Sequence, residues 1–118
     1  MTTQEIASTL LAYCRKAEWI RALQELYADD AVSIEPVETP DFPKVTTGKA
    51  QMLAKADKFT SMTREVHSVE LSEPLVAGNA FALRLNMDIT TTNGRTNMSE
   101  ICVYQTRDGK IIAEQFFY

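Results

Sequence analysis

The sequence predicts an α+β domain in which helices cover one face of an antiparallel sheet. Helical periodicity is confined to the first half of the 118-residue chain, whereas its last third alternates apolar and polar residues with the two-residue period of strands. Two turn signals, Asn93-Gly94 and Asp108-Gly109, divide that last third into hairpins. The chain contains no linker, repeat or low-complexity segment, so residues 1–118 are expected to form a single domain.

Three helices are expected before the hairpins. The first is capped by Thr2 or Thr3 and extends to about residue 14, because apolar residues recur there at helical spacing. The second begins at Glu18 and stops near residues 28–30. The third covers residues 49–59. Each helix has an apolar stripe that can pack on one face of a sheet.

The predicted strands begin between the second and third helices. A short strand over residues 31–35 ends at Pro36, because proline cannot donate a ladder hydrogen bond. Three prolines between residues 36 and 43 predict an irregular rim or flap over residues 37–48. A strand over residues 64–76, kinked at Pro74, then leads into the hairpins.

Turn type sets the register of each hairpin. A two-residue turn at Asn93-Gly94 would pair Thr92 with Arg95. A bulged turn at Asp108-Gly109 would pair Thr106 with Lys110. The second expectation leaves an alternative, since a tight turn there would shift the last strand by one residue and reverse its faces.

In the expected register, the inner face of the sheet is apolar but contains two carboxylates, Glu100 and Glu114. The shifted register would replace Glu114 with Gln115 and would turn Phe117 inward instead of Phe116. The apolar residues expected on the inner face are Phe81, Leu83, Leu85, Met87, Ile89, Met98, Cys102, Tyr104, Ile112, Phe116 and Tyr118.

The outer face of the sheet is also partly apolar, since it would contain Ile101, Val103, Ile111, Ala113 and Phe117. A patch of this size is unusual on the surface of a monomer. We therefore expect a homodimer interface on this face, with burial under a loop as the alternative.

Composition narrows the possible partners. A net charge of −4 and a pI near 5.0 argue against nucleic acid or an anionic membrane as a partner. No apolar stretch is long enough to span a membrane, and the N-terminus has no signal-peptide pattern. Cys14 and Cys102 are isolated thiols, as expected for free cysteines in a reducing cytoplasm. With one histidine and no phosphate-binding or metal motif, neither a metal nor a cofactor is expected.

Glu100 is the first candidate for chemistry. On the inner face its neighbours are Met87, Met98, Cys102 and Phe116, so its carboxyl is expected to be desolvated and its pKa raised. A neutral carboxylic acid can donate a hydrogen bond to a developing oxyanion, and a partly ionised one can transfer protons. The alternative is a structural role in which Glu100 pairs with a buried arginine, tyrosine or backbone group.

Other side chains are weaker candidates. Glu114 would enter the site only in the expected register, and otherwise it is a solvated strand residue. His67 could be a base near the pocket or a structural surface group. Four aromatic residues have polar tips that could contact a ligand, although packing is their commoner role: Tyr13, Trp19, Tyr27 and Tyr104.

Five segments resemble the SnoaL-like branch of the nuclear transport factor 2 superfamily: residues 19–32, Glu35-Pro36, and residues 48–50, 74–79 and 103–111. The resemblance covers nearly the whole chain. It implies a cone-shaped fold, in which a curved antiparallel sheet wraps around three N-terminal helices and one deep central pocket. Members often dimerise through the outer face of this sheet.

The superfamily includes polyketide cyclases, ketosteroid isomerase, epoxide hydrolases, dehydratases and plain binding domains. The isomerase is the nearest chemical template, because its basic carboxylate precedes a proline, as Glu35 does here. Its neutral acid lies four residues before an aromatic residue, which is similar to Glu100 and Tyr104, and Tyr13 loosely matches its first-helix tyrosine. Both carboxyl positions carry Glu rather than Asp, and an added methylene moves each carboxyl by about 1 Å. The resemblance therefore implies a related reaction on a small apolar carbonyl compound.

The expected function is thus a cavity for a small, largely apolar ligand with cofactor-free acid/base chemistry. Glu35 would be the base and Glu100 the proton donor or oxyanion partner, with Tyr13, His67 or Glu114 as orienting groups. A non-catalytic ligand-binding or interaction module is the first alternative, and a subunit of a larger assembly is the second. The remaining residues expected to line the pocket are Trp19, Tyr27, Met87, Met98, Tyr104 and Phe116.

Overall fold

The computed structural model describes residues 1–118 as three helices and seven strands, so the predicted α+β class is confirmed. In chain order the elements are α1 (Thr3–Arg15), α2 (Trp19–Leu26), β1 (Tyr27–Ile34), β2 (Val45–Thr47), α3 (Lys49–Met62), β3 (Thr63–Leu71), β4 (Leu75–Ala77), β5 (Ala80–Thr91), β6 (Gly94–Arg107) and β7 (Lys110–Phe117).

The start of α1 shows a complete capping box. The Oγ1 atom of Thr2 accepts a hydrogen bond from the Glu5 amide at 3.1 Å, and Oε1 of Glu5 accepts one from the Thr2 amide at 2.9 Å. This reciprocal pair satisfies two backbone donors and selects Thr2 rather than Thr3 as the cap. The helix then buries Ile6 and Leu10 against the sheet and its neighbouring helices.

The strands form one curved, unclosed sheet in the order β2-β1-β7-β6-β5-β3, with β4 paired to β5. An antiparallel sheet was expected, but the observed sheet is mixed. Strands β1 and β7 pair in parallel, with Ser33 opposite Glu114. About eighty residues separate these strands along the chain, so no hairpin turn constrains their relative direction. The parallel pair lies one strand in from the β2 edge of the sheet and brings the two halves of the chain together.

Two other predicted segments differ from the structure. The flap is not irregular throughout, because Val45–Thr47 forms β2, an edge strand paired with β1. All three residues of β2 are β-branched, which favours extended backbone. The predicted strand over residues 64–76 is interrupted and forms β3 and β4, with the interruption ending at Pro74.

The β5–β6 hairpin is shifted by two residues from the predicted register. Thr91 pairs with Gly94, so the turn consists of Thr92 and Asn93, and the predicted pairing of Thr92 with Arg95 is wrong. Gly94, with φ of +108°, begins β6 instead of completing the turn. Because side chains alternate with a period of two, a two-residue shift leaves every residue on its predicted face.

The β6–β7 hairpin has the tight turn that the prediction treated as the alternative. Arg107 pairs with Lys110, so the predicted pairing of Thr106 with Lys110 is wrong. Asp108 and Gly109 both have positive φ, 52° and 76°, as a type I′ turn requires.

A bulge immediately after this turn restores the inward face of β7. Thr106 pairs with Ile111, but the next pair is Gln105 with Ala113, so Ile112 has no partner. The extra residue reverses the alternation, and Glu114 therefore faces inward in spite of the tight turn. Ile111 was expected on the outer face, but it is fully buried in the core. It cannot belong to an interface on that face.

The hydrophobic core lies between the three helices and the inner face of β5, β6 and β7. Phe81 and Tyr104, on neighbouring strands, stack with their ring centroids 4.8 Å apart. Both rings belong to the buried core. None of the three helices is long and apolar enough to cross a membrane.

Candidate active site

A cavity of about 270 Å³ lies between the helices and the inner face of the sheet. Of its 26 lining residues, 20 are hydrophobic. Its charged lining residues are three glutamates and one lysine: Glu35, Lys55, Glu100 and Glu114. A mostly apolar cavity with a few convergent polar groups is the usual form of a small-molecule site, and this one lies at the small end of the range.

Nine of the eleven predicted site residues line this cavity: Trp19, Tyr27, Glu35, Met87, Met98, Glu100, Tyr104, Glu114 and Phe116. The other two, Tyr13 and His67, lie outside it. The Tyr13 hydroxyl donates to Oε1 of Glu25 at 2.8 Å, between α1 and α2. Nε2 of His67 lies 2.7 Å from Oγ1 of Thr90, on an exposed part of β3.

Glu100 lies on β6 and has almost no polar partner. Its carboxyl forms no ion pair, and its one side-chain hydrogen bond is a long one from the Cys102 thiol, with Sγ 3.9 Å from Oε1. Burial raises the pKa of Glu100 to about 7, and the negative charges of Glu35 and Glu114 add to the shift. The acid and its conjugate base are therefore both populated near neutral pH. The expected alternative, a salt bridge or tyrosine partner, is not observed.

Glu35 follows β1 and precedes Pro36 at the cavity wall. Its Oε1 atom accepts from Nζ of Lys55 at 2.9 Å, and its Oε2 atom accepts from the Tyr118 hydroxyl at 2.9 Å. The ion pair is largely buried, with side-chain exposures of 16% for Glu35 and 20% for Lys55. Burial and the hydrogen bond to Glu35 raise the pKa of Tyr118 to about 12, so this hydroxyl remains a donor. Both carboxyl oxygens of Glu35 are thus held in place.

Glu114 is buried on β7 and is bound by two hydroxyls. Tyr27 donates to Oε1, and Ser33 donates to Oε2 at 2.7 Å. Ser33 is in reach because the parallel β1–β7 register places it opposite Glu114. Burial raises the pKa of Glu114, although both hydroxyl bonds favour the charged form. The alternative of a solvated strand residue is wrong for this position.

Lys55 is the main site residue absent from the sequence prediction. It lies three residues after Met52 and four before Phe59, and this spacing places all three on one face of α3. The sequence signal for Lys55 was therefore its position within the predicted apolar stripe of the third helix. A lysine at such a position is more often read as a solvated residue beside a stripe.

The flap supplies the remaining wall of the cavity through Val37, Thr39 and Phe42. Phe42 packs against Phe59 of α3 with ring centroids 6.5 Å apart. The ammonium of Lys58, also on α3, lies 5.3 Å from the centre of the Phe42 ring. The flap is thus packed on α3 beside the cavity.

The two cysteines contribute apolar surface to the wall of the cavity. Burial raises the pKa of Cys14 to about 12, and burial also raises the pKa of Cys102. Both thiols are therefore protonated at neutral pH and are poor nucleophiles. Neither forms a disulfide.

The curved sheet and three helices have the cystatin-like and nuclear transport factor 2-like fold. Within that fold class, the chain belongs to the SnoaL-like domain family, whose family model matches residues 1–118. The predicted family is thereby confirmed. No curated protein matches the chain significantly.

Solved structures agree with this assignment. A candidate SnoaL-like polyketide cyclase from Mesorhizobium loti is 33% identical, with a TM-score of 0.91 and 100% coverage of both chains. A protein of unknown function with a cystatin-like fold, from Xanthomonas campestris, is 16% identical, with a TM-score of 0.84 and coverage of 99% of this chain and 90% of that one. IdmH, a candidate polyketide cyclase from Streptomyces antibioticus, is 17% identical, with a TM-score of 0.74 and coverage of 99% and 91%. The last two similarities concern the fold alone.

Proposed function

We propose that this protein binds a small, largely apolar carbonyl compound in the cavity and catalyses proton transfer next to the carbonyl without a cofactor. The observation that carries the proposal is the contrast between Glu100 and Glu35. Both line one cavity, but Glu100 has no ion-pair partner and Glu35 has two fixed donors. Carboxyl groups with such different environments can act as acid and base on one substrate.

In this reaction Glu35 is the base and Glu100 is the hydrogen-bond donor. Glu35 removes a proton from the carbon next to the carbonyl, and the electron pair of that C–H bond moves to the carbonyl oxygen. Because the pKa of Glu100 is about 7, a protonated fraction exists near neutral pH and can donate to this oxygen. If a C=C bond lies next to that carbon, the anion is a dienolate, and return of the proton from Glu35 to its far carbon moves the double bond and isomerises the compound. Attack of the enolate carbon on a second carbonyl of the same compound would instead close a ring, with the π bond of that carbonyl breaking and the new alkoxide taking the proton from Glu35.

The test uses 2-tetralone as a small enolisable probe in deuterated buffer, with exchange of its acidic protons followed by NMR. We expect exchange above the buffer rate, and a loss of about 100-fold or more in Glu100→Gln and in Glu35→Gln. Glu25→Gln is the matched control, because Glu25 lies outside the cavity and bonds to Tyr13 and Arg21. Equal losses in Glu25→Gln would contradict the proposed site.

A non-catalytic ligand-binding module is the second candidate. It is favoured by one observation: both oxygens of Glu35 are already engaged by Lys55 and Tyr118. In that case 2-tetralone would bind, as detected by line broadening of its NMR signals, but no protein-dependent exchange would occur. Glu100→Gln would then bind the probe as well as the unmodified protein does.

We also propose a homodimer that forms through the outer face of the sheet. Ile101 and Phe117 pair across β6 and β7, and their exposures are 44% and 49%. Val103 and Ala113 extend this patch and are partly buried. A twofold interface requires one self-complementary patch, which a row of apolar residues on neighbouring strands supplies. Ile111 is left out because it is a core residue.

For location we propose the cytoplasm. Cys14 and Cys102 are both free and buried, and reducing compartments preserve such thiols. The test is to alkylate free thiols at the moment of lysis and to measure the redox state of the two cysteines in the endogenous protein. Reduced thiols are expected, and oxidised thiols would indicate another compartment.

A further inference from the structure

Lys55 is the one basic side chain among the residues that line the cavity. Its side chain is 20% exposed, and its single hydrogen bond, at 2.9 Å, goes to Glu35. An ammonium group has three N–H donors and no acceptor, so two donors of Lys55 lack a protein partner. A largely buried cation with unused donors at the wall of an apolar cavity is suited to bind an oxygen atom of a ligand.

The charge balance of the proposed reaction gives this cation a second role. Before proton transfer, Lys55 and Glu35 neutralise each other. When Glu35 receives the proton, it becomes neutral, and Lys55 would be left as an uncompensated, largely buried charge, which is costly. The enolate oxygen that forms in the same step carries one negative charge. If this oxygen accepts from Lys55 as well as from the Glu100 acid, the cavity keeps an ion pair throughout the reaction.

The other ionisable groups of the cavity permit an anion there. Burial raises the pKa of Glu100 on β6 to about 7 and also raises the pKa of Glu114 on β7, so burial favours the neutral form of both carboxyls. Tyr118 donates to Glu35, and burial raises the pKa of the Tyr27 hydroxyl well above its ordinary value. The ionised Glu35 is therefore the main anion that opposes a bound one at Lys55, and Glu100 becomes a second as it ionises.

We propose that Lys55 anchors an anionic oxygen of the ligand, and that the ligands are enolisable carbonyl compounds, acidic enols or phenols rather than amines. The enolate part of this inference rests on the proposed function. Recognition of a phenolate does not, because it requires only the cation and its unused donors.

The probe is 4-nitrophenol, whose phenolate form absorbs at longer wavelength than the neutral phenol. We expect the protein at pH 6–7 to bind the phenolate preferentially, so that the bound probe ionises at a lower pH than the free probe. Lys55→Met should weaken phenolate binding by about 10-fold, which is typical for loss of one charged hydrogen bond. Lys55→Arg should retain most of the affinity.

The decisive variant is Glu35→Gln, because it removes the competing partner of Lys55 and keeps the volume of the side chain. We expect it to bind the phenolate more tightly than the unmodified protein. If the Lys55–Glu35 pair were only structural, loss of either member would weaken binding. Weaker binding in both variants would therefore overturn the inference, and so would binding of the neutral phenol alone.

Two controls separate these outcomes from unfolding and from failure of the proposed function. Nitrobenzene, a neutral probe of similar shape, should bind equally to all folded variants. If Lys55→Met does not fold, the direction of change in Glu35→Gln decides the question. Lys55-dependent phenolate binding without exchange into 2-tetralone would remove the catalytic proposal and leave the anchor. Exchange without Lys55-dependent binding would remove the anchor alone.

Discussion

Three glutamates share one cavity, and each has a different set of neighbours. Glu114 accepts from two buried hydroxyls, Glu35 accepts from a lysine and a tyrosine, and Glu100 has only a distant thiol. Since burial penalises a charged carboxyl unless partners compensate it, the pKa of Glu100, the group with the fewest partners, is raised to about 7. The partners of each side chain, rather than the number of acids in the cavity, thus determine its chemical role.

Glu100 should make the stability of the fold depend on pH. Its pKa is raised from the ordinary value of 4.5 to about 7. Below pH 4.5 the carboxyl is protonated in both the folded and the unfolded state, so its ionisation does not lower the free energy of unfolding. Between pH 4.5 and 7 the unfolded chain releases the proton and the folded chain retains it, so the free energy of unfolding falls. Above about pH 7 the carboxyl is ionised in both states, so the destabilisation that it causes no longer changes with pH.

In the neutral variant Glu100→Gln, the free energy of unfolding should not show this decrease between pH 4.5 and 7. Relative to the unmodified protein, the variant should gain on the order of 2–3 kcal/mol in the free energy of unfolding between pH 4 and pH 8. Urea titrations at several pH values measure the difference. Glu114 is present in both proteins, so its own titration largely cancels. Parallel curves for the two proteins would show that Glu100 is not desolvated.

At the scale of elements, the single unpaired residue Ile112 determines the chemistry of β7. The tight turn at Asp108 and Gly109 alone would direct Gln115 into the cavity, and the bulge restores Glu114. The turn residues and the bulge thus act together. Without the bulge, the Tyr27 and Ser33 hydroxyls would face an amide instead of a carboxyl.

The turn itself can be tested by Gly109→Ala. Gly109 has φ of +76°, and an added Cβ would lie 3.2 Å from the backbone nitrogen of Met1. Strain and crowding should together lower the free energy of unfolding by about 2 kcal/mol, from about 1 kcal/mol for positive φ and a similar amount for crowding.

The matched control for this substitution is Gly78→Ala. Gly78 also has positive φ, 57°, but no atom lies within 4 Å of an added Cβ. We expect Gly78→Ala to lower the free energy of unfolding only by the strain of positive φ, about 1 kcal/mol. Thermal unfolding monitored by circular dichroism compares the two variants. A larger loss at Gly78 would contradict the assigned packing of the turn.

Much of the fold could be predicted because its signals are local. The capping box at Thr2, the proline after Glu35 and the two glycine turns each depend on residues within one short segment. The inward face of β6 was predicted correctly despite a wrong register, since an error of two residues preserves alternation.

The features that could not be predicted depend on contacts between distant segments. The parallel pairing of β1 with β7 joins residues with no turn between them, and the bulge at Ile112 depends on how β7 packs against the core. The Ser33–Glu114 bond and the Lys55–Glu35 pair both require this tertiary arrangement. Alternation predicted the acids, but only the fold identifies their partners.

At the scale of the whole molecule, the outer face of the sheet is the surface on which the proposed dimer depends. Ile101→Glu should give a monomer at concentrations where the unmodified protein is a dimer, because a buried unpaired charge would weaken association by at least about 10-fold. Sedimentation velocity measures the change. Val66→Glu is the control, since Val66 is 40% exposed on the edge strand β3 and pairs with Ile89, a buried residue of the inner face. A monomeric unmodified protein, or an unchanged Ile101→Glu dimer, would refute this interface.

The parallel pairing of β1 with β7 also has a consequence for the order in which the protein folds during synthesis. β1 leaves the ribosome early, but its central partner is the last strand of the domain to be made. Until then β1 has only the three-residue edge strand β2 as a neighbour, and Tyr27 and Ser33 have no carboxyl to bind. The contact closes a loop of about eighty residues, which is slow relative to local hairpins. A nascent chain that lacks β7 therefore exposes the interior of the cavity and an unpaired strand edge, the combination that chaperones bind.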